Sequence, residues 1–249
     1  MASGGGGMSI VGDGYAYLTT WENWAGARGI FGSNPDGSLR FNRDSIIALT
    51  LEHLWMSFAA VGIAALIALP LGIYLGHVRR GASITVAISN VSRAMPTLAL
   101  LTLFAASAIG FGNRAVIIAA AIFAFPPILQ NAFTGMAGVD PDIRDAALGQ
   151  GMTRFQIATR VELPLAVPLI AAGLRTSAVQ TVATVPLAAL VAGGGLGVII
   201  NTGLATQRFG EVVAGGVLVA ALSLGIDLAL GRLQRSVTPV PLRALAAAA

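Results

Sequence analysis

The sequence predicts an all-α integral membrane protein with about five transmembrane helices, each near 20 residues. Three observations predict it. The chain is 55% hydrophobic and only 10% charged, against about 25% charge in soluble domains. Its mean hydropathy is +0.79, too high for a water-facing surface and far from disorder. Its basic residues are all Arg, with no Lys, and most fall in short stretches between apolar runs, where membrane topology places them. The net charge of +4 therefore gives no reason to expect nucleic acid. With no Cys, a disulfide framework, a thiolate metal site and a catalytic thiol are excluded.

In chain order, residues 1–45 read as a polar tail outside the membrane. Met1-Ala2-Ser3 and Gly4 to Gly7 read as a linker over residues 1–7, ahead of a start at Met8. No apolar h-region of a cleavable signal is evident. Trp21, Trp24 and Phe31 are expected as aromatic anchors at the interface. A transmembrane domain follows over residues 46–235, and residues 236–249 form a C-terminal tail on the cytoplasmic side. Spans are expected at residues 54–76, 83–109 with Pro96 inside, 115–136 with Pro126-Pro127, 165–192 with Pro168 and Pro186, and 212–230. Prolines are tolerable there because neighbouring helices and hydroxyl side chains can satisfy the freed backbone groups.

Arginine placement sets the orientation. Arg79, Arg80, Arg144, Arg154, Arg160, Arg232, Arg235 and Arg243 fall on one side; Arg28, Arg40, Arg43, Arg114 and Arg208 fall on the other. The richer side is assigned to the cytoplasm, which puts the N-terminus outside and the C-terminus inside. The polar loop 137–164 is then cytoplasmic. Within it, Asp140-Pro141 reads as an N-cap followed by Pro at the first helical position. Asp142 complements the helix dipole, and Gly149 and Gly151 end the helix. Thr153 to Gln156 fits a capping box. A second short helix, with Phe155, Ala158 and Val161 as its apolar stripe, is expected to stop near Pro164. Ala146 and Ala147 leave a shallow surface over which a groove on another protein could close.

Asp145, Ala146, Ala147, Gly151, Leu163 and Pro164 fall at the spacings of the loop signature of ABC importer permeases, and the chain resembles that family. The signature runs acidic residue-Ala-Ala, then Gly, then Ile-x-Leu-Pro. Asp145 stands where Glu is usual and Val161 where Ile is usual. The resemblance covers residues from about Thr50 to Arg235. Thr50 to Leu54, Leu69 to Gly72, Met95-Pro96-Thr97, Gly149 to Thr153, Ala172 to Arg175 and Gly193 to Gly197 look like its osmoprotectant branch, which moves glycine betaine, choline or carnitine. The resemblance implies a type I importer permease core in the plasma membrane of a prokaryote. It implies that a separate ATPase, carrying ATP and Mg, docks on residues 140–163 through Asp145, Ala146, Ala147, Gly151, Met152, Thr153, Val161, Leu163 and Pro164. A second permease, identical or homologous, and an extracytoplasmic substrate-binding protein are further implied partners, beside the lipid bilayer.

The remaining residues bound the chemistry. Without Lys there is no Walker A loop, and no cofactor is expected on this chain. His53 and His77 would lie roughly 36 Å apart along one span, too far to share a metal. Arg175, inside the fourth span, is a pathway candidate or a structural partner of Asp227; Asp227 is also read as an interfacial partner of Arg232. Arg93 is expected to snorkel. Gly193, Gly194, Gly195 and Gly197 are gate candidates or a plain turn. Phe104, Phe123, Phe125 and Trp55 are available for a cation cage, or simply belong to the core. The alternatives to an osmoprotectant are methionine, taurine or another small polar solute. A non-transporting membrane enzyme or scaffold is the alternative of another class, for which the sequence supplies no catalytic groups.

Overall fold

The computed structural model describes residues 10–25, 31–33, 39–41 and 45–238. The linker 1–7, Arg28, Arg43, Arg243 and the tail beyond residue 238 lie outside the described residues, as do the side chains of Trp21, Phe31, Arg40 and Arg93. Two short helices, α1 (Ile10–Thr19) and α2 (Trp21–Ala25), come first. An antiparallel pair, β1 (Phe31–Ser33) and β2 (Leu39–Phe41), sets Gly32 opposite Arg40. The rest is helical: α3 (Ile46–His77), α4 (Ala82–Ala94), α5 (Thr97–Ala105), α6 (Asn113–Ala137), α7 (Pro141–Gly149), α8 (Arg154–Ile157), α9 (Leu163–Thr184), α10 (Gly197–Ala205) and α11 (Phe209–Val237).

Among the described residues, four helical stretches are long and apolar enough to cross a membrane: Ile46–His77, Asn113–Ala137, Arg154–Val191 and Phe209–Val237. Four of the expected spans map onto them. The expected span at 83–109 is instead broken into α4 and α5. The break falls at Met95, whose backbone is extended at φ −75°, ψ 125°, because the ring of Pro96 disfavours helix in the residue before it. The second correction concerns Pro164. No short helix stops there. A π-helical turn, Ala158–Glu162, joins α8 to α9, and Leu163 N–H reaches back to Ala158 O. Pro164 lacks an N–H and crowds the preceding turn; the widened turn accommodates it without breaking the helix.

The chain divides into two compact units. The first holds the described residues up to Ser57, with Leu100–Ile117 and Val182–Ser223. Its core gathers Ile46, Leu49, Leu196 and Ile199, with Tyr17 and Trp24 packed against them. Trp24, half-buried against this core, donates its indole N–H to Leu18 O at 2.6 Å. The second unit holds Phe58–Ala99, Ile118–Thr181 and the described residues from Leu224. Its core combines Val61, Ala64 and Ala68 of α3 with Ala124, Ile128 and Leu129 of α6 and Ala178 of α9. Here side chains tend the proline-bearing helix: Ser177 Oγ donates to Ala124 O at 2.7 Å and Asn131 Nδ2 to Pro127 O at 2.8 Å.

Candidate functional site: the loop between the third and fourth spans

The loop sequence builds its own geometry. Asp140 caps α7, its carboxylate accepting Asp142 N–H at 2.9 Å, with Pro141 at the first helical position. The far end of α7 closes in a Schellman turn. Met152 N–H bonds Ala147 O at 3.2 Å and Gly151 N–H bonds Leu148 O at 2.9 Å. The turn needs a left-handed residue just past the helix, and Gly151 supplies it at φ +80°. Thr153 then opens α8 with a complete capping box: Thr153 N–H donates to Gln156 Oε1 at 2.7 Å, and Gln156 N–H to Thr153 Oγ1 at 3.3 Å. The signature glycine and the two capped helices therefore follow from local hydrogen bonding alone.

Burial divides the signature residues. Asp145 and Ala146 are exposed, whereas Ala147 is buried. The shallow outer surface expected of both alanines thus belongs to Ala146 alone. Phe155, of the apolar stripe of α8, points outward at 77% exposure, and Ile157 fills the core. Ile143, Ala146 and Phe155 give the loop an exposed apolar face.

Glu162 falls at the unspecified position of the Ile-x-Leu-Pro signature. The structure buries it completely and gives it two partners. His77 Nδ1 donates to Oε2 at 2.5 Å. Arg144 Nε lies 2.8 Å from Oε1 as an ion pair, at an angle unsuited to a hydrogen bond. Arg144 also donates to His77 O at 3.3 Å, and Arg79 to Val139 O at 2.5 Å. One carboxylate so ties the end of α3 and α7 to the π-turn before α9. An acid at the turn before a span, with Arg in one loop helix and His at the end of a span, was the available signal.

Two further clusters involve residues singled out in the sequence. In the first unit, Glu52 and Asn113 grip the glycine loop. Asn113 Nδ2 donates to Glu52 Oε1 at 2.7 Å, Gly194 N–H to Asn113 Oδ1 at 2.8 Å, and Gly195 N–H to Glu52 Oε2 at 3.0 Å. His53 Nδ1 accepts Leu196 N–H at 3.3 Å while its Nε2 bonds Val182 O at 2.9 Å. A Cβ on Gly194 would overlap the Glu52 carboxylate, and one on Gly197 would overlap Pro186 O. Glycine is needed here because backbone and carboxylate meet. Gly193 completes the approach through its N–H to Ala188 O at 2.8 Å.

In the second unit, Arg175 pairs with Asp227 by two hydrogen bonds of 2.7 Å each. Asp227 therefore answers Arg175, not Arg232. Gln234 joins the pair by accepting from Arg175 Nη1 at 3.5 Å, and it donates to Pro168 O at 3.1 Å. The same unit holds a polar cavity of about 120 Å³ lined in part by Ser89, Phe123, Gln130, Asn131 and Thr176.

Span-length helices, interrupted by a capped loop that is cross-tied to a span end, make this a multi-pass membrane protein. Residues 68–239 match the binding-protein-dependent transport system inner membrane component family, and the chain belongs to that family. It is 35% identical over 83% of its length, and 95% of the relative's, to the glycine betaine/carnitine/choline transport system permease protein of Bacillus subtilis. It is 36% identical over 81% of its length, and 92% of the relative's, to the carnitine transport permease protein of Listeria monocytogenes. Among solved structures, it matches an inward-facing conformation of the MetNI methionine ABC transporter with TM-score 0.64 and 25% identity, over 76% of this chain and 94% of that one. The chain is a multi-pass membrane permease of the ABC importer type.

Proposed function

We propose that this chain carries a small osmoprotectant, such as glycine betaine, choline or carnitine, into the cell, powered by a separate ATPase docked on residues 140–163. The observation that carries the cargo is the 35% identity to the glycine betaine/carnitine/choline permease across 95% of that protein. Support for the docking comes from the exposed face of Ile143, Ala146 and Phe155. Glu162 would transmit the movement, because it links the loop to His77 and to the start of α9. The orientation that fits has the loop and C-terminus in the cytoplasm and the N-terminus outside. An extracytoplasmic binding protein would deliver the cargo, and a second permease would complete the pathway. The cavity beside Asn131 and Thr176 is a candidate stretch of that pathway. Arg175, already neutralised by Asp227, is better suited to structure. Likewise the Gly193 to Gly197 loop, fixed by Glu52 and His53, suits a rigid support better than a flexible gate.

The test is reconstituted, ATP-driven uptake with the cognate ATPase and binding protein. Uptake of a quaternary ammonium solute, with methionine and taurine inert, is expected. Methionine uptake without betaine, choline or carnitine uptake would overturn the cargo assignment.

A further inference from the structure

A cavity of about 450 Å³ opens beside the loop, and its wall includes Tyr74, Arg79, Arg80, Arg144, Leu148 and Arg154. Its charge is one-sided. Arg144 is occupied by Glu162, which is itself fully buried. Arg79, Arg80 and Arg154 are exposed, and none pairs with a carboxylate among the described residues. The backbone holds this cluster in place. Arg79 sits at φ +52°, the left-handed position of a Schellman turn closing α3. Arg80 N–H bonds Leu75 O at 3.1 Å and Arg79 N–H bonds Gly76 O at 3.1 Å. Glycine is usual there. Here an arginine is held in the strained position, its guanidinium fastened to Val139 O.

Placement identifies the occupant. α3 has 32 residues, about 48 Å of helix against a hydrocarbon core of about 30 Å. Residues 54–76 carry no charged side chain and His77, Arg79 and Arg80 follow directly, so the last turn emerges at the membrane–water boundary. Tyr74, one turn before the arginines, is 64% exposed, and an aromatic ring with a polar tip suits headgroup depth. Planar guanidinium groups match phosphate oxygens two at a time. We propose that this cavity binds the phosphate of an anionic phospholipid headgroup, held by Arg79, Arg80 and Arg154, with Tyr74 and Leu148 against the glycerol and upper acyl carbons. The site needs the membrane placement of the chain and, since Leu148 and Arg154 lie within the loop proposed to dock the ATPase, a headgroup seated where that loop meets the end of α3; it stands apart from the identity of the cargo.

The experiment is native mass spectrometry of the full chain extracted from bilayers mixing phosphatidylglycerol with phosphatidylcholine. The wild type is expected to retain phosphatidylglycerol preferentially. Arg80→Gln with Arg154→Gln should lower that retention roughly fivefold for each arginine removed. Arg232→Gln with Arg235→Gln, an equal loss of charge at the exposed end of α11, should leave it unchanged. Three results would overturn the proposal: equal loss in both double variants, displacement of the lipid by millimolar inorganic phosphate, or unchanged retention in the Arg80/Arg154 variant with loss of ATPase capture. The first means diffuse attraction, the second a soluble-anion site, and the third a protein surface. ATP-driven uptake by the wild type is read separately, so failure here leaves the transport assignment untouched.

Discussion

Glu162 is the residue on which the loop depends. A fully buried carboxylate with a histidine on one oxygen and an arginine on the other is costly to break, because the loss of one member strands the rest. Glu162→Ala should lower the stability of the assembled transporter by about 3 kcal/mol, read as a fall in its thermal midpoint in detergent. Retention of the wild-type midpoint would show that the three groups are not coupled. The two loop glycines should behave oppositely. Gly149 is helical with open space around its Cβ position, so Gly149→Ala should be neutral or stabilising by up to about 1 kcal/mol. Gly151 sits at φ +80°, so Gly151→Ala should cost about 1–2 kcal/mol, and Gly151→Asn less. Parallel melts of the three variants separate these outcomes. The sequence placed Gly151 correctly at the end of α7, because that need is local. It missed the pairing of Glu162 with His77 and Arg144, because those residues lie far apart in the chain and meet only through folding.

At the level of elements, the capped helices were legible because capping is read over a few adjacent residues: Asp140-Pro141 and Thr153 with Gln156 form as their types dictate. Thr153→Ala should loosen α8 by about 1 kcal/mol, visible as faster amide exchange over residues 154–157 with α7 unaffected. The broken span was not legible as a break. Pro126-Pro127 and Pro96 both interrupt apolar runs, yet only the first lies inside a continuous helix. Ser177 of α9 donates to the α6 backbone at Ala124 O, a tertiary contact that the sequence around the prolines does not show. The Arg175–Asp227 tie yields a further expectation. Arg175→Met or Asp227→Leu alone should reduce folded protein in the membrane, since each leaves a lone charge in a span. The double variant should recover it. Folding restored together with uptake assigns the pair to structure; folding restored without uptake assigns Arg175 to the pathway.

For the molecule as a whole, composition and arginine distribution were enough to indicate a multi-pass helical protein, since a bilayer permits few backbone solutions. The family followed from a short signature and from its match over residues 68–239. The cargo is harder to read, because the loop records how movement is driven and not what is moved. The surroundings of Trp24 and Phe155 were not legible for a related reason: an aromatic residue suits a core, a bilayer interface or a partner equally, and only its neighbours decide. The central claim is that the exposed face of the loop receives the ATPase. Capture of the cognate ATPase by the full chain, compared between wild type and Ala146→Arg, tests it most directly. Ala146 is exposed whereas Ala147 is buried, so the Ala146 variant alters the surface without invading the core. The account predicts that Ala146→Arg folds to wild-type levels, loses ATPase capture at least tenfold and abolishes uptake. Undiminished capture and uptake by that variant would contradict it.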